Sequence, residues 1–228
     1  MTRVMVCGSR EEADIDLLVK AGVDAIGLIT EVKQVLPCNL SRAQARRLAA
    51  RIPPLISVVL VLTEERVEEV HRLVEHVRPD AVQLHGFNRP EEVAALKEKV
   101  PVRVVKTVHL QGARALAQPE GGALEALVAG YLEAGADAIL LDSYHEGKVG
   151  ATGRTVDFQV ARHLRDAIWP RPLLLAGGLD AGNVGEAIRR VRPFAVDVFT
   201  GVTREGRLDP LKVREFVAAV RRCPGEGR

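Results

Sequence analysis

Eight short apolar runs, at residues 4–6, 25–29, 55–62, 81–84, 102–105, 138–141, 173–176 and 195–198, recur along the chain, and most do not alternate polar with apolar. A strand with one wet face alternates. A continuous run is what a strand covered on both faces requires, and a parallel sheet flanked by helices covers both. The segments between the runs have helical spacing. Val67, Val70, Val74 and Val77 share one face, as do Val184, Ala187, Ile188 and Val191, and again Val213, Phe216, Val217 and Val220. Asp180 is the expected N-cap of the helix carrying Val184, and Gly22 and Gly135 are expected at the C-terminal ends of two others.

The joints between helix and strand repeat. Ala21-Gly22-Val23-Asp24-Ala25-Ile26 echoes Ala134-Gly135-Ala136-Asp137-Ala138-Ile139, and Arg78-Pro79-Asp80-Ala81-Val82 echoes Arg192-Pro193-Phe194-Ala195-Val196. Strand followed by helix eight times predicts an α/β fold, a single-domain (β/α)8 TIM barrel spanning residues 1–228. An open doubly wound sheet is the alternative. It would more readily divide the chain in two, and no linker is visible. The one low-complexity patch, Gln118-Pro119-Glu120-Gly121-Gly122, reads as a loop after strand five. Two long strand-to-helix loops are expected, at 30–40 and at 143–156. The second carries Gly147, Gly150 and Gly153, which suits either a mobile lid or plain surface loop.

A formal charge of +2 argues against a large nucleic-acid footprint. Three cysteines, Cys7, Cys38 and Cys223, are too few for a disulfide framework and fit a reducing compartment. No apolar run approaches membrane-spanning length, and residues 1–6 enter a strand with no signal-peptide core. A cytoplasmic protein with neither nucleic-acid nor membrane partner is expected, as a monomer or homodimer.

Strand C-termini of a barrel face one mouth, where residues distant in sequence meet. Cys7 ends strand one and Asp142 ends strand six. A thiol and a carboxyl facing each other are a possible general base and general acid. The cysteine needs a lowered pKa or a reaction tolerant of little thiolate, and the aspartate must be protonated part of the time, through burial or a nearby anion. Taken alone, a lone cysteine is more often a small buried apolar residue, and Asp142 reads equally as a cap. Asp197 lies inside an apolar strand and needs partners, either protein groups or substrate hydroxyls. Lys106 is expected at the end of strand five, pointing to the mouth or snorkelling out of it. His85, ending strand four, reads first as a histidine that ties its own loop. The six histidines show no metal-ligand spacing, so no metal is expected. Two strand ends turn into glycines, at Leu175-Ala176-Gly177-Gly178 and at Val198-Phe199-Thr200-Gly201. Neighbouring glycine turns of this kind cradle a phosphate with backbone N–H groups.

Cys7-Gly8, Val82-Gln83-Leu84-His85-Gly86, Leu140-Leu141-Asp142, Gly150-Ala151-Thr152-Gly153 with Asp157-Phe158, Leu175-Ala176-Gly177-Gly178-Leu179 with Asn183-Val184, and Arg192-Pro193-Phe194-Ala195-Val196-Asp197-Val198 with Gly201-Val202 occur in order over essentially the whole chain. In this the chain resembles the phosphoribosylanthranilate isomerases of tryptophan biosynthesis. The resemblance implies a cofactor-free Amadori rearrangement of a phosphorylated small-molecule substrate, with Cys7 as general base and Asp142 as general acid. It implies that Asp197 holds sugar hydroxyls, and that Gly177, Gly178, Thr200 and Gly201 bind phosphate, with His85 also on the substrate. Two departures stand out. Met5-Val6-Cys7-Gly8 lacks the lysine of the family's Lys-Ile-Cys-Gly. Cys38 falls near the place of the arginine that receives the anthranilate carboxylate, for which Lys33, Arg42 and Lys148 are candidate substitutes. A third, Phe199-Thr200-Gly201 in place of Ser-Ser-Gly, puts an aromatic near the expected phosphate. These departures leave open a paralogous isomerase acting on another phosphoribosyl or sugar-phosphate substrate, or a non-catalytic phosphate-binding barrel.

Overall fold

A computed structural model describes residues 1–33, 36–116, 122–145, 148–149 and 155–223. Eight strands carry the sheet: β1 Arg3–Cys7, β2 Ala25–Ile29, β3 Ser57–Leu62, β4 Ala81–Leu84, β5 Arg103–Gln111, β6 Ala138–His145, β7 Leu173–Leu175 and β8 Ala195–Val198. Each pairs in parallel with the next, and β8 pairs with β1 through Val4↔Val196 and Val6↔Val198, so the sheet closes. Eight helices alternate with them: α1 Glu12–Ala21, α2 Arg42–Ala49, α3 Val67–Val77, α4 Pro90–Lys97, α5 Leu124–Glu133, α6 Phe158–Ala167, α7 Val184–Val191 and α8 Pro210–Arg221. The result is a (β/α)8 barrel, as the alternation of runs predicts. Among the described residues no helix is long and apolar enough to cross a membrane.

The continuous runs conceal two alternating sets, because successive side chains on a strand point to opposite faces. Val4, Val6, Ile26, Leu28, Val82, Val104, Ile139, Leu141 and Val196 point outward into one large core shared with the helices. Met5, Cys7, Val59 and Val61, and in a second cluster Val105, Ala138, Leu140, Leu174 and Ala195, fill the barrel interior. The interior positions closest to the strand C-termini are those that can reach a ligand.

Three strands differ from their apolar runs. Leu55 is fully exposed in a turn at φ +74°, so β3 begins at Ser57. β5 and β6 run past their apolar stretches, to Gln111 and His145, because polar residues buried at the mouth (Thr107, His109, Asp142, Ser143) interrupt the hydrophobic pattern without ending the strand. Lys106 is accordingly mid-strand and on the outer face, not at the mouth. Its Nζ donates to Gly86 O at 2.6 Å and Thr107 O at 2.8 Å, beside the Tyr131 ring. The loop expected at 143–156 starts later for the same reason, and Gly147, Gly150 and Gly153 lie outside the described residues, as do 118–121. Gly22 does cap α1 in the left-handed conformation. The N-cap of α7 is Asn183 and not Asp180, whose carboxylate instead accepts the N–H groups of Gly182 and Asn183.

The repeated joints are fasteners at the opposite, N-terminal end of the barrel. Asp24 Oδ2 accepts the Val4 N–H at 2.7 Å, Asp80 Oδ2 the Val58 N–H at 2.8 Å and Asp137 Oδ2 the Val104 N–H at 2.8 Å. Each aspartate donates its own N–H back to the carbonyl of the same residue. A strand's first N–H would otherwise lack a partner there. In the fourth joint Phe194 stands where the others have aspartate, and the Arg3 guanidinium stacks on its ring.

Candidate active site

Cys7, His85, His109, Asp142 and Asp197 occupy interior positions at the C-terminal ends of β1, β4, β5, β6 and β8. Register places them there: Ala195 and Asp197 share a face of β8, as do Met5 and Cys7 of β1 and Ala138, Leu140 and Asp142 of β6. All but His85 are buried.

Four of them form two pairs. Cys7 Sγ donates to Asp197 Oδ1 at 3.1 Å. His85 Nε2 lies 3.2 Å from Asp142 Oδ2, while Asp142 Oδ1 accepts the Ser143 N–H at 2.8 Å. The pairs feel one another. Burial first, then the Asp197 carboxylate, push the Cys7 thiol well above its usual range, and Asp142 adds to this. Burial also pushes Asp197 up to about 6, against the opposing Cys7 hydrogen bond and with Asp142 reinforcing. Cys7 is therefore a thiol at neutral pH, the reverse of the lowered pKa one looks for in a base. Asp197, ionised above about pH 6, is the group its proton faces. The sequence reads His85 as tying its own loop or meeting substrate; the structure adds a partner that the sequence does not show, the Asp142 carboxylate. His109 had no sequence signal at all, since it lies in a strand extension read as loop. Its Nε2 donates to His85 O at 2.9 Å and its ring stands 4.6 Å from the His85 ring. Burial holds it down to about 4, so it is neutral.

Gly27 makes room for the thiol, because a Cβ there would overlap Cys7 Sγ. Gly177 and Gly178 follow β7 at φ +84° and +59°, conformations natural to glycine. The Asn183 side chain ties this turn by donating to Gly178 O at 2.8 Å. Thr200 and Gly201 lie in the 3-10 turn Thr200–Val202 after β8, and a Cβ on Gly201 would overlap Leu179 O. The two glycine turns thus pack backbone to backbone, side by side at the C-terminal ends of β7 and β8. Phe199 packs over Gly8 and the cluster holding Cys7 and Cys38, which takes its ring toward the thiol side of the mouth.

Cys38 is fully buried, and burial raises it to about 11 against a backbone hydrogen bond and, less strongly, the charge of Arg10. Arg10, half-buried on the loop after β1, makes no ion pair among the described residues. Of the substitutes expected for the missing arginine, Arg42 is held by Glu31 at 2.7 Å and Glu69 at 2.8 Å. Lys33 is exposed.

Comparison with known proteins gives a consistent result. The family described as N-(5'phosphoribosyl)anthranilate (PRA) isomerase matches residues 4–219. An N-(5'-phosphoribosyl)anthranilate isomerase of Methanothrix thermoacetophila is 38% identical over 98% of this chain and 100% of its own. The crystal structure of phosphoribosyl anthranilate isomerase from Thermotoga maritima superposes with a TM-score of 0.80 at 30% identity, covering 97% of this chain and 99% of that one. A structure of such an isomerase in complex with reduced 1-(o-carboxyphenylamino)-1-deoxyribulose 5-phosphate superposes with a TM-score of 0.76 at 29% identity, with the same coverage.

Proposed function

The chain belongs to the N-(5'-phosphoribosyl)anthranilate isomerase family, and from that membership we propose how its own residues carry the reaction. The activity is the aldose–ketose isomerisation of tryptophan biosynthesis. In it an N-linked ribofuranose 5-phosphate opens and becomes a 1-amino-1-deoxyribulose 5-phosphate. Asp142 gives a proton to the ring oxygen as the C1–O bond breaks, leaving the C1–N pair as a protonated Schiff base. Cys7 then takes the C2 proton, and the C2–H electrons move toward nitrogen to give an enolamine. Tautomerisation of the enol at C2 yields the ketone. Acid and base are both regenerated, and no electrons leave the substrate, so no redox cofactor enters the balance.

The observation that best supports this assignment is that the thiol and the carboxyl come from across the barrel and each meets a second proton-carrying group. Asp197 accepts the Cys7 proton, so that a high-pKa thiol acts as a base without resting as thiolate, and it holds sugar hydroxyls. His85 stands behind Asp142 as the group through which its proton is replaced. The phosphate sits between the Gly177-Gly178 and Thr200-Gly201 turns. Fixing that end orients C1 and C2 between base and acid. We place the protein in the cytoplasm, where its three free, buried cysteines stay reduced.

A dependence on pH follows. Below about 6 Asp197 is protonated and cannot accept from Cys7. With a single group on that limb, kcat/KM falls about tenfold per pH unit as pH drops below that value. In Asp197→Asn the rate is lower at every pH and this limb is gone. An unchanged acid limb in that variant removes Asp197 from the proton path.

Arg10 takes the place of the missing arginine. Its charge is felt at Cys38, which falls near the place the family resemblance assigns to the carboxylate clamp. Conversion of phosphoribosylanthranilate, followed by loss of its fluorescence, tests both activity and clamp. A charge-assisted hydrogen bond is worth about 1.5–3 kcal/mol, so Arg10→Ala raises KM about 10- to 100-fold with kcat little changed. Arg10→Lys recovers part of the loss. No conversion by the wild type refutes the substrate, and an unaltered KM in Arg10→Ala refutes the clamp.

A further inference from the structure

His85, His109 and Asp142 each offer one ligand atom, and these atoms lie within 4.8 Å of one another. We propose that the three side chains form a site for one divalent cation of the Zn2+ class, and that the bound cation shuts off turnover by occupying Asp142. Two imidazoles and a carboxylate are borderline ligands suited to Zn2+ or Co2+, whereas Mg2+ and Ca2+ require shells of oxygen.

The geometry is close to what such an ion needs. His85 Nε2 and Asp142 Oδ2 are 3.2 Å apart. Two ligands of a tetrahedral zinc with bonds of about 2.0–2.1 Å are separated by about 3.3 Å. The cation would lie where these two groups now share a hydrogen bond. The third arm closes by a small shift of the His109 ring that keeps its Nε2–H on the His85 carbonyl. That ring is already prepared: its Nε2–H is committed to His85 O, which leaves Nδ1 as the nitrogen with a free lone pair. Nδ1 is buried and has no hydrogen-bond partner among the described residues. Metal-bound histidines are characteristically fixed in this manner, with the second nitrogen donating to a carbonyl, and ligating carboxylates are themselves hydrogen-bonded. Asp142 meets that condition through the Ser143 N–H on Oδ1. Three protein ligands leave a fourth position for water. The three residues are scattered over β4, β5 and β6, which is why ligand spacing along the chain gives no sign of them.

The site itself rests only on geometry. Its inhibitory effect rests on the reading of Asp142 as the acid. Cobalt chloride added to the whole protein separates the two, because Co2+ reports its ligands by absorption. Expected are visible d–d bands of a low-coordinate ion, without near-ultraviolet sulfur-to-cobalt charge transfer, reversed by excess zinc chloride. Both His109→Phe and His109→Gln lose the bands; the second keeps a donor for the His85 carbonyl, so that misfolding of one variant does not decide the matter. Zinc chloride abolishes turnover of the wild type, and a chelator restores it. Absent bands, bands that survive in a folded His109 variant, or a charge-transfer band marking Cys7 as the ligand overturn the site. Bands lost in the variants but full turnover with the ion bound overturn the inhibition, whereas the acid role of Asp142 stands or falls separately on the kcat of metal-free Asp142→Asn.

Discussion

Asp142→Asn lowers kcat about 10²- to 10⁴-fold and leaves KM within a few-fold, because a positioned general acid contributes on that order to the chemical step. Asparagine has the same shape and its carbonyl still accepts the Ser143 N–H. Its amide cannot deliver a proton to the ring oxygen, so ring opening stalls with the phosphate and the aromatic acid still bound. The measurement is steady-state conversion of phosphoribosylanthranilate beside the affinity of a reduced product analogue. A kcat within tenfold of wild type, or a loss that appears wholly in KM, would show that the proton comes from elsewhere. Thermal stability gives the control. The substitution removes a buried carboxylate but keeps its volume, so the melting temperature holds while activity collapses.

Cys7→Ser produces a comparable loss, about 10²-fold or more, and it separates two readings of the thiol–carboxylate pair. A serine hydroxyl fits the space that Gly27 leaves open and donates to Asp197 as the thiol does at 3.1 Å. If Asp197 were itself the base, with position 7 merely holding it, the serine variant would retain most of its turnover. If the sulfur takes the C2 proton, the variant fails although its hydrogen bond survives, because an alcohol is far harder to ionise than a thiol. Full activity of Cys7→Ser would therefore transfer the role of base to Asp197. Cys7→Ala is the less informative variant, since it also leaves the buried Asp197 carboxylate without its donor.

Most of the scaffold is readable in the residues. Each of the eight apolar runs is a strand, and the helix faces carrying Val70, Val184 and Val213 are buried as their spacing requires. Reading failed where polar residues are buried at the mouth. Thr107, His109 and Ser143 look like loop by hydropathy, yet they continue β5 and β6, and the same pattern puts Lys106 at a strand end when it lies mid-strand. Individual positions of the site were visible from strand ends, but their partnerships were not. Cys7 and Asp197 are 190 residues apart, and His85 and Asp142 are 57 apart. A strand end fixes which mouth a side chain faces and says nothing about which neighbour it meets across the barrel. Arg10, the clamp proposed above, is hidden in the sequence for a related reason: it and Cys38 lie on two different loops.

The three aspartate fasteners sit at the end of the barrel away from Cys7 and Asp142, so the end that holds the strands in register is not the end proposed to handle substrate. Changes accumulating in the loops around position 38 leave those fasteners untouched. On the proposed role of Arg10, a lineage can abandon one guanidinium and recruit another from a different loop in successive steps, each intermediate still folded. The same division gives a rule for redesign: new specificity is best sought among residues 8–10 and 30–40, with Asp24, Asp80 and Asp137 left as inherited.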